Sequence, residues 1–208
     1  MSTTLQPDPS WLQVDPEFYR HGGHSFGPGE MLALAEAKGE RALVYPASGG
    51  EEALSLANLG ATVSVFDSLE NSARARALAE QAGIAVTFLE GVPGSPEIPG
   101  GPYDTVYSSF GLLSALEFFD DWAGGIAGAL KTGGRLVIHD VHPAAYVPGV
   151  RKGVFAVAHS YFDDEEDGGG PGWTMGDLIS ALGMAGMPTI YLEEMPDSER
   201  YQTVFARH

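Results

Sequence analysis

Cysteine is absent from the 208 residues, which excludes disulfide scaffolds, thiolate metal sites and cysteine nucleophiles. Basic residues are scarce. Eleven Lys and Arg stand against 28 Asp and Glu, a formal charge of −17 that repels phosphate backbones and argues against a nucleic-acid partner. No apolar run approaches the roughly 18 residues of a membrane span, and residues 1–7 have neither the basic stretch nor the apolar core of a secretory signal. Neither a GxGxxG fingerprint nor a P-loop lysine occurs. What is present is 44% apolar residues, enough for one core. The expectation is a soluble, cytoplasmic, acidic globular domain, with oligomeric state left open. Residues 1–27 read as an N-terminal arm and lid: the first ten are polar and broken by proline, but Trp11, Phe18, Tyr19 and Phe26 are too aromatic for a solvated tail. Residues 28–208 form the domain it covers.

Along that domain helices and strands alternate. The spacing predicts helices over 28–38, 51–59, 69–82, 115–130 and 175–185, several ended by glycine. Apolar, β-branched or aromatic runs predict strands at 42–45, 62–67, 86–89, 103–108, 135–140, 189–193 and 201–206. This is the pattern of a doubly wound α/β fold, a mainly parallel seven-stranded sheet. The last two strands are joined too closely for a parallel crossover and read as an antiparallel C-terminal hairpin. Residues 141–172 read as irregular.

Ligands of such sheets sit beyond the carboxyl ends of the strands, at the switch point after the first. That loop is Pro46-Ala47-Ser48-Gly49-Gly50, small enough for close backbone approach, with helix N–H groups behind it. Asp67 ends the next strand, at roughly the 20-residue offset where a carboxylate grips a ribose. The helix opens with Glu51-Glu52, two carboxylates where a diphosphate would lie. A cofactor with a positive centre and no phosphate is tolerated better, and S-adenosylmethionine fits. The alternative is that both glutamates simply complement the helix dipole.

At these residues the chain resembles the class I S-adenosylmethionine-dependent methyltransferases, in particular a bacterial small-molecule or uncharacterised subgroup. RALVYPASGG at 41–50 lies where their first motif sits, VFDS at 65–68 looks like their ribose-binding strand end, PYDTVYSS at 102–109 like their fourth strand, and LKTGGRLVI at 130–138 like their turn into the fifth. GEEALSLA at 50–57, YSSFG at 107–111, His142-Pro143 and WTMGD at 173–177 are similar to the subgroup. The resemblance covers about residues 15–207 and implies a Rossmann-like methyltransferase fold with that C-terminal hairpin. It also implies an enzyme that uses S-adenosylmethionine, held by Ala47, Ser48, Gly49, Gly50, Asp67, Ser68, Leu69, Glu90, Gly91, Val92, Ser109 and Phe110. Three positions depart from the pattern. Val44 stands where an acid is usual, and Pro46 and Ser48 where glycines are. The acid expected after the third strand has no clean equivalent, since Glu90 is one residue early. These departures keep open a cyclase, a lyase or a module that only binds the cofactor. A nicotinamide oxidoreductase is disfavoured by Glu51-Glu52 and the missing fingerprint.

Methyl transfer needs a positioned nucleophile and, for some acceptors, a base. His142, just after the fifth strand, is the candidate base, with a histidine hydrogen-bonded in the turn before Pro143 as the alternative. His24 and Tyr19 on the lid are candidates for contact with cofactor or substrate, or for packing alone. His139 and His142 fall on opposite strand faces, so no metal site is expected. The acidic run 163–167 lacks EF-hand spacing and reads as a solvated loop.

Overall fold

The computed structural model describes residues 14–92, 94–108, 111–113, 116, 118–146, 148–151, 154–157, 161–162, 172–194 and 202–208. The chain runs through α1 (Pro16–Arg20), α2 (Pro28–Leu34), β1 (Arg41–Tyr45), α3 (Glu51–Asn58), β2 (Thr62–Asp67), α4 (Ala73–Ala82), β3 (Thr87–Glu90) and β4 (Tyr103–Ser108). It continues with α5 (Phe119–Ala129), β5 (Leu130–Asp140), a 3-10 turn (Pro143–Tyr146), β6 (Pro148–Arg151), β7 (Val154–Val157), α6 (Met175–Met184), β8 (Thr189–Glu194) and β9 (Gln202–Arg207).

The main sheet has the order β3-β2-β1-β4-β5-β9-β8. The first five strands are parallel, and β9 runs antiparallel to both β5 and β8. β1 lies inside the sheet between β2 and β4, and Ala42, Leu43, Val44 and Tyr45 are all fully buried, so neither of its faces meets water. The order turns around between β1 and β4, which places the switch point at the loop after β1.

Two cores flank the sheet. One is built on Trp122, Ile126, Trp173, Leu178 and Leu182 of the α5 and α6 side. The other combines Leu34, Leu54, Leu56 and Leu78 from α2, α3 and α4 with Tyr19 and Phe26 from the segment before α2. Residues 14–27 therefore pack on the domain, while the residues before them lie outside the described residues. No helix among the described residues is long and apolar enough to cross a membrane.

Several boundaries differ from the sequence expectation. The helix expected over 69–82 begins at Ala73, because residues 68–72 form a turn in which Ser72 N–H donates to Ser68 O and Asn71 N–H to Ser68 Oγ. The helix expected from 28 stops at Leu34, and the one expected from 115 starts at Phe119. The stretch 141–172, expected to be irregular, contains the 3-10 turn and the antiparallel β6–β7 pair. The short α1 has too few residues for a helical period to register; Asp15 caps it by accepting from Glu17 N–H. The acidic run 163–167 lies outside the described residues.

Candidate functional site

Three loops converge at the carboxyl ends of the first strands. After β1 the chain passes through a cis Tyr45–Pro46 bond to Ser48, at φ +43, and Gly50, at φ +98. A Cβ on Gly50 would sit 2.7 Å from Ala75 Cα, so both the backbone angle and the approach of α4 demand glycine there. At the tip of β2, Asp67 is 2% exposed. Its Oδ2 accepts from Ala47 N–H (2.9 Å), and its Oδ1 from Ser68 N–H (2.7 Å) and Asn71 Nδ2 (3.0 Å). Its carbonyl accepts from Gly91 N–H at 3.1 Å. One residue thus ties the loop after β1, the tip of β2 and the loop after β3 together.

Aromatic packing fixes the floor beneath. Tyr45 and Phe66 stack at 5.5 Å between ring centroids, and the Phe66 ring lies so close to Gly91 that any side chain there would collide with it. The Tyr45 hydroxyl accepts from Gly94 N–H, and burial pushes that phenol up to about 12, so it stays protonated. Above the floor Leu69 and Val92 leave their apolar side chains 57% and 71% exposed, at the tips of β2 and β3.

On the other flank Asp140, fully buried at the tip of β5, accepts from Gly111 N–H (2.8 Å), Val141 N–H (2.7 Å) and Leu113 N–H (3.0 Å). Burial raises its carboxyl above the ordinary range, and the three amides pull it partly back. Ser109 and Phe110, the expected contacts after β4, lie outside the described residues.

The segment before α2 closes the α2–α3 side. Asn58 Nδ2 donates to Tyr19 O (2.8 Å) and Gly23 O (2.7 Å), and Ser55 Oγ accepts from Ser25 N–H at 3.0 Å. Tyr19 is buried, and burial raises its phenol, so at neutral pH it is a proton donor and not a base. His24 is exposed, 6.3 Å from Phe26. Because Asn58 alone makes two of these bonds, Asn58→Ala is expected to cost about 1–2 kcal/mol and to speed amide exchange across residues 15–25. Unchanged exchange there would show that packing of Tyr19 and Phe26 is sufficient.

His142 is held in a turn. Its Nδ1 accepts from Ala144 N–H (3.0 Å), which leaves the proton on Nε2, 2.6 Å from Glu194 Oε1. Both ring nitrogens are engaged within the protein. The structure thus brings Ala47, Asp67, Ser68 and Gly91 together through hydrogen bonds, with Glu90 paired beside Asp67, and places His142 after β5 in contact with Ala144 and Glu194.

No protein-family model matches this chain, and no curated protein does. Solved structures do. A methyltransferase from Mesorhizobium loti superposes with a TM-score of 0.69 at 23% identity, covering 88% of this chain and 99% of that one. The CcbJ methyltransferase from Streptomyces caelestis gives 0.65 at 17% identity, covering 97% and 99%. The [4+2]-cyclase SpnF gives 0.66 at 16% identity, covering 95% and 82%. The fold is that of the class I S-adenosylmethionine-dependent methyltransferases.

Within this methyltransferase fold sequence reasoning passed over three polar anchors. Glu30 read as helix interior, although a Glu at the third helical position after Gly27-Pro28 signals a cap, and Gly27 N–H does donate to Glu30 Oε2 (2.9 Å). Asp140 reads from the sequence as a strand end and Asn58 as part of a helix; neither bonding pattern has a local sequence signal.

Proposed function

We propose that the protein binds S-adenosylmethionine and transfers its methyl group to a small molecule. The observation that carries this reading is the Asp67 junction: a carboxylate at the tip of β2 bonded to the loop after β1, at the switch point of a methyltransferase-type sheet. The residues present fit the cofactor. Asp67 uses three of about four acceptor positions, which leaves capacity for a ribose hydroxyl. Leu69 and Val92 offer apolar surface for an adenine. Glu51 and Glu52 suit a positive centre and repel a diphosphate.

In this reading Ala47, Ser48, Gly49 and Gly50 line the methionine part, Asp67, Ser68 and Leu69 the ribose, and Glu90, Gly91 and Val92 the adenine, with Ser109 and Phe110 near the methionine end. When bound, the cofactor supplies a methyl group already activated by its sulfonium. The chain's own work is positioning and exclusion of water. Residues 1–27 serve as arm and lid over the domain of residues 28–208. Tyr19, within that lid, keeps its proton at neutral pH, and His24 is the lid residue exposed for contact with cofactor or substrate. His142 buttresses the loop after β5 through its two hydrogen bonds.

Titration with S-adenosylmethionine in a calorimeter tests this: saturable heat with a micromolar Kd is expected, and no heat overturns it. The departures at Val44 and Pro46, with a cyclase among the fold's neighbours, favour as second reading a non-methylating use of the same cofactor. Consumption of S-adenosylmethionine in the absence of any acceptor would decide for it.

A further inference from the structure

On the α2 side of the strand tips stands a group of side chains from which the cofactor reading draws only the negative charge of Glu52. Glu30, 6% exposed, accepts from the Tyr107 hydroxyl through Oε1 and from Gly27 N–H through Oε2, and Oε2 lies 3.8 Å from His139 Nδ1. Tyr107 is 2% exposed; burial first, then the Glu30 charge, hold its phenol proton in place. Phe26 packs on the Tyr107 ring at 5.4 Å.

Glu52 completes the group. Its Oε2 is shielded from solvent and has no hydrogen-bond partner. The charges of Glu30 and Glu51 both bear on it, and Arg74, a cation that offsets them, is already paired with Glu51 at 2.9 Å. An acceptor left empty inside a protein is costly to maintain, and the fold offers no donor to Oε2. The ligand chemistry that fills it is a cationic donor. Glu52 and His139 are both half-buried, so the group opens outward at these two residues. The Tyr107 ring, with Phe26 packed on it, borders the group through Glu30.

We propose that Glu52, backed by Glu30, binds the protonated amino group of the substrate, and that the substrate is an amine with an apolar or aromatic body. Calling this ligand the substrate rests on the proposed methyltransferase reading. The binding itself does not.

The titration of Glu52 supplies an independent readout. Burial, then the charges of Glu51 and Glu30, push its carboxyl up to about 7, against the pull of its own backbone N–H and of Arg74. A bound cation ionises it. Amine binding at pH 6 should therefore release close to one proton, and at pH 8 very little. Tyr19, Tyr107 and His139 also face the group, so the Glu52→Gln variant, which retains all three, isolates the share of Glu52.

The experiment uses benzylamine and benzyl alcohol as probes, titrated by NMR into the protein alone and into its complex with S-adenosylhomocysteine, which carries no sulfonium. The amine should bind about 10-fold more tightly than the alcohol, the worth of a charge-assisted hydrogen bond. Glu52→Gln should abolish both this preference and the proton release measured across buffers of different ionisation enthalpy. Glu52→Asp, which keeps the charge but withdraws it, should retain part of each. Equal binding of the two probes, or a preference that survives Glu52→Gln, overturns the proposal. So does a Glu52→Gln variant that loses affinity for S-adenosylmethionine while keeping the amine preference, because the carboxylate then serves the cofactor's own charge. If S-adenosylhomocysteine binds without any amine preference, this inference alone fails; if neither nucleoside binds, the methyltransferase reading fails.

Discussion

Replacing Asp67 with alanine is expected to weaken S-adenosylmethionine binding about 100-fold and to destabilise the fold by about 2 kcal/mol. The two effects have one origin. The Asp67 carboxylate holds Ala47 N–H, Ser68 N–H and the Asn71 amide. Ala47 is fully buried, so its N–H finds no water when the carboxylate is gone. Ser68 is half-buried and Asn71 exposed, so solvent replaces most of their loss. One orphaned buried donor, offset by relief of a buried charge, sets the stability cost. In a chain of 208 residues it lowers Tm by about 4–8 °C. The affinity loss is larger because the ribose loses a charged acceptor and the loop of 46–50 loses its anchor together. Asp67→Asn separates these contributions. Its amide nitrogen must face Ala47 N–H or the Ser68 and Asn71 donors, so at least one contact becomes donor against donor while the volume stays. It should therefore bind nearly as weakly as the alanine variant. Calorimetry and urea unfolding measure the pair, and an alanine variant that binds within threefold of wild type would remove Asp67 from the cofactor site.

The strands that carry this site were legible because burial on both faces leaves little choice of residue. Thr62–Asp67 and Tyr103–Ser108 have the bounds that the sequence suggests, and β1 differs by one residue. Helix starts were less legible. At 69–72 the composition is compatible with helix, yet Ser68 makes a turn there by accepting from Asn71 N–H, a choice decided by where Asp67 holds the backbone. The early start of β5 has a comparable cause: Gly133, at φ +80, donates its N–H to His208 O, a partner 75 residues away that no local pattern announces. The candidate site divides in the same way. Small residues after β1 and an acid at the tip of β2 are visible as spacing. The Glu30–Tyr107 bond joins residues 77 apart and follows only from the tertiary fold.

The acidic excess of the chain acquires a structural meaning at the strand tips. Asp67 at the end of β2 reaches across to the loop after β1, and Asp140 at the end of β5 reaches across to the loop after β4. β1 and β4 are the adjacent strands at the switch point. Each outer strand thus ends in a carboxylate that gathers the backbone amides of its inner neighbour's loop. A carboxylate suits the task because it is acceptor-only and has about four positions to fill. Lysine or arginine in that role would repel the amides and a sulfonium alike.

On this account Asp140→Ala is expected to be the most destabilising single carboxylate replacement at the site, at about 3 kcal/mol. Three amides lose a charged acceptor at once. Gly111 is exposed and Val141 half-buried, so water recovers part of their loss. Leu113 is fully buried in the core beside Trp122 and Ile126, and its N–H has no such recourse. To hydrate that amide the chain must draw Leu113 outward, and Leu112, 2% exposed, would follow, so apolar burial is lost as well. Relief of the buried charge offsets some of this, which keeps the estimate below the sum of three charged hydrogen bonds. The corresponding fall in Tm is about 6–12 °C. Asp140→Asn keeps one acceptor oxygen and should lose about half as much. Urea unfolding supplies the free energies, and hydrogen exchange at Gly111 and Leu113 reports whether the loop after β4 is released. A loss below about 1 kcal/mol with those amides still protected would mean that Leu112 and Leu113 hold the loop by packing alone.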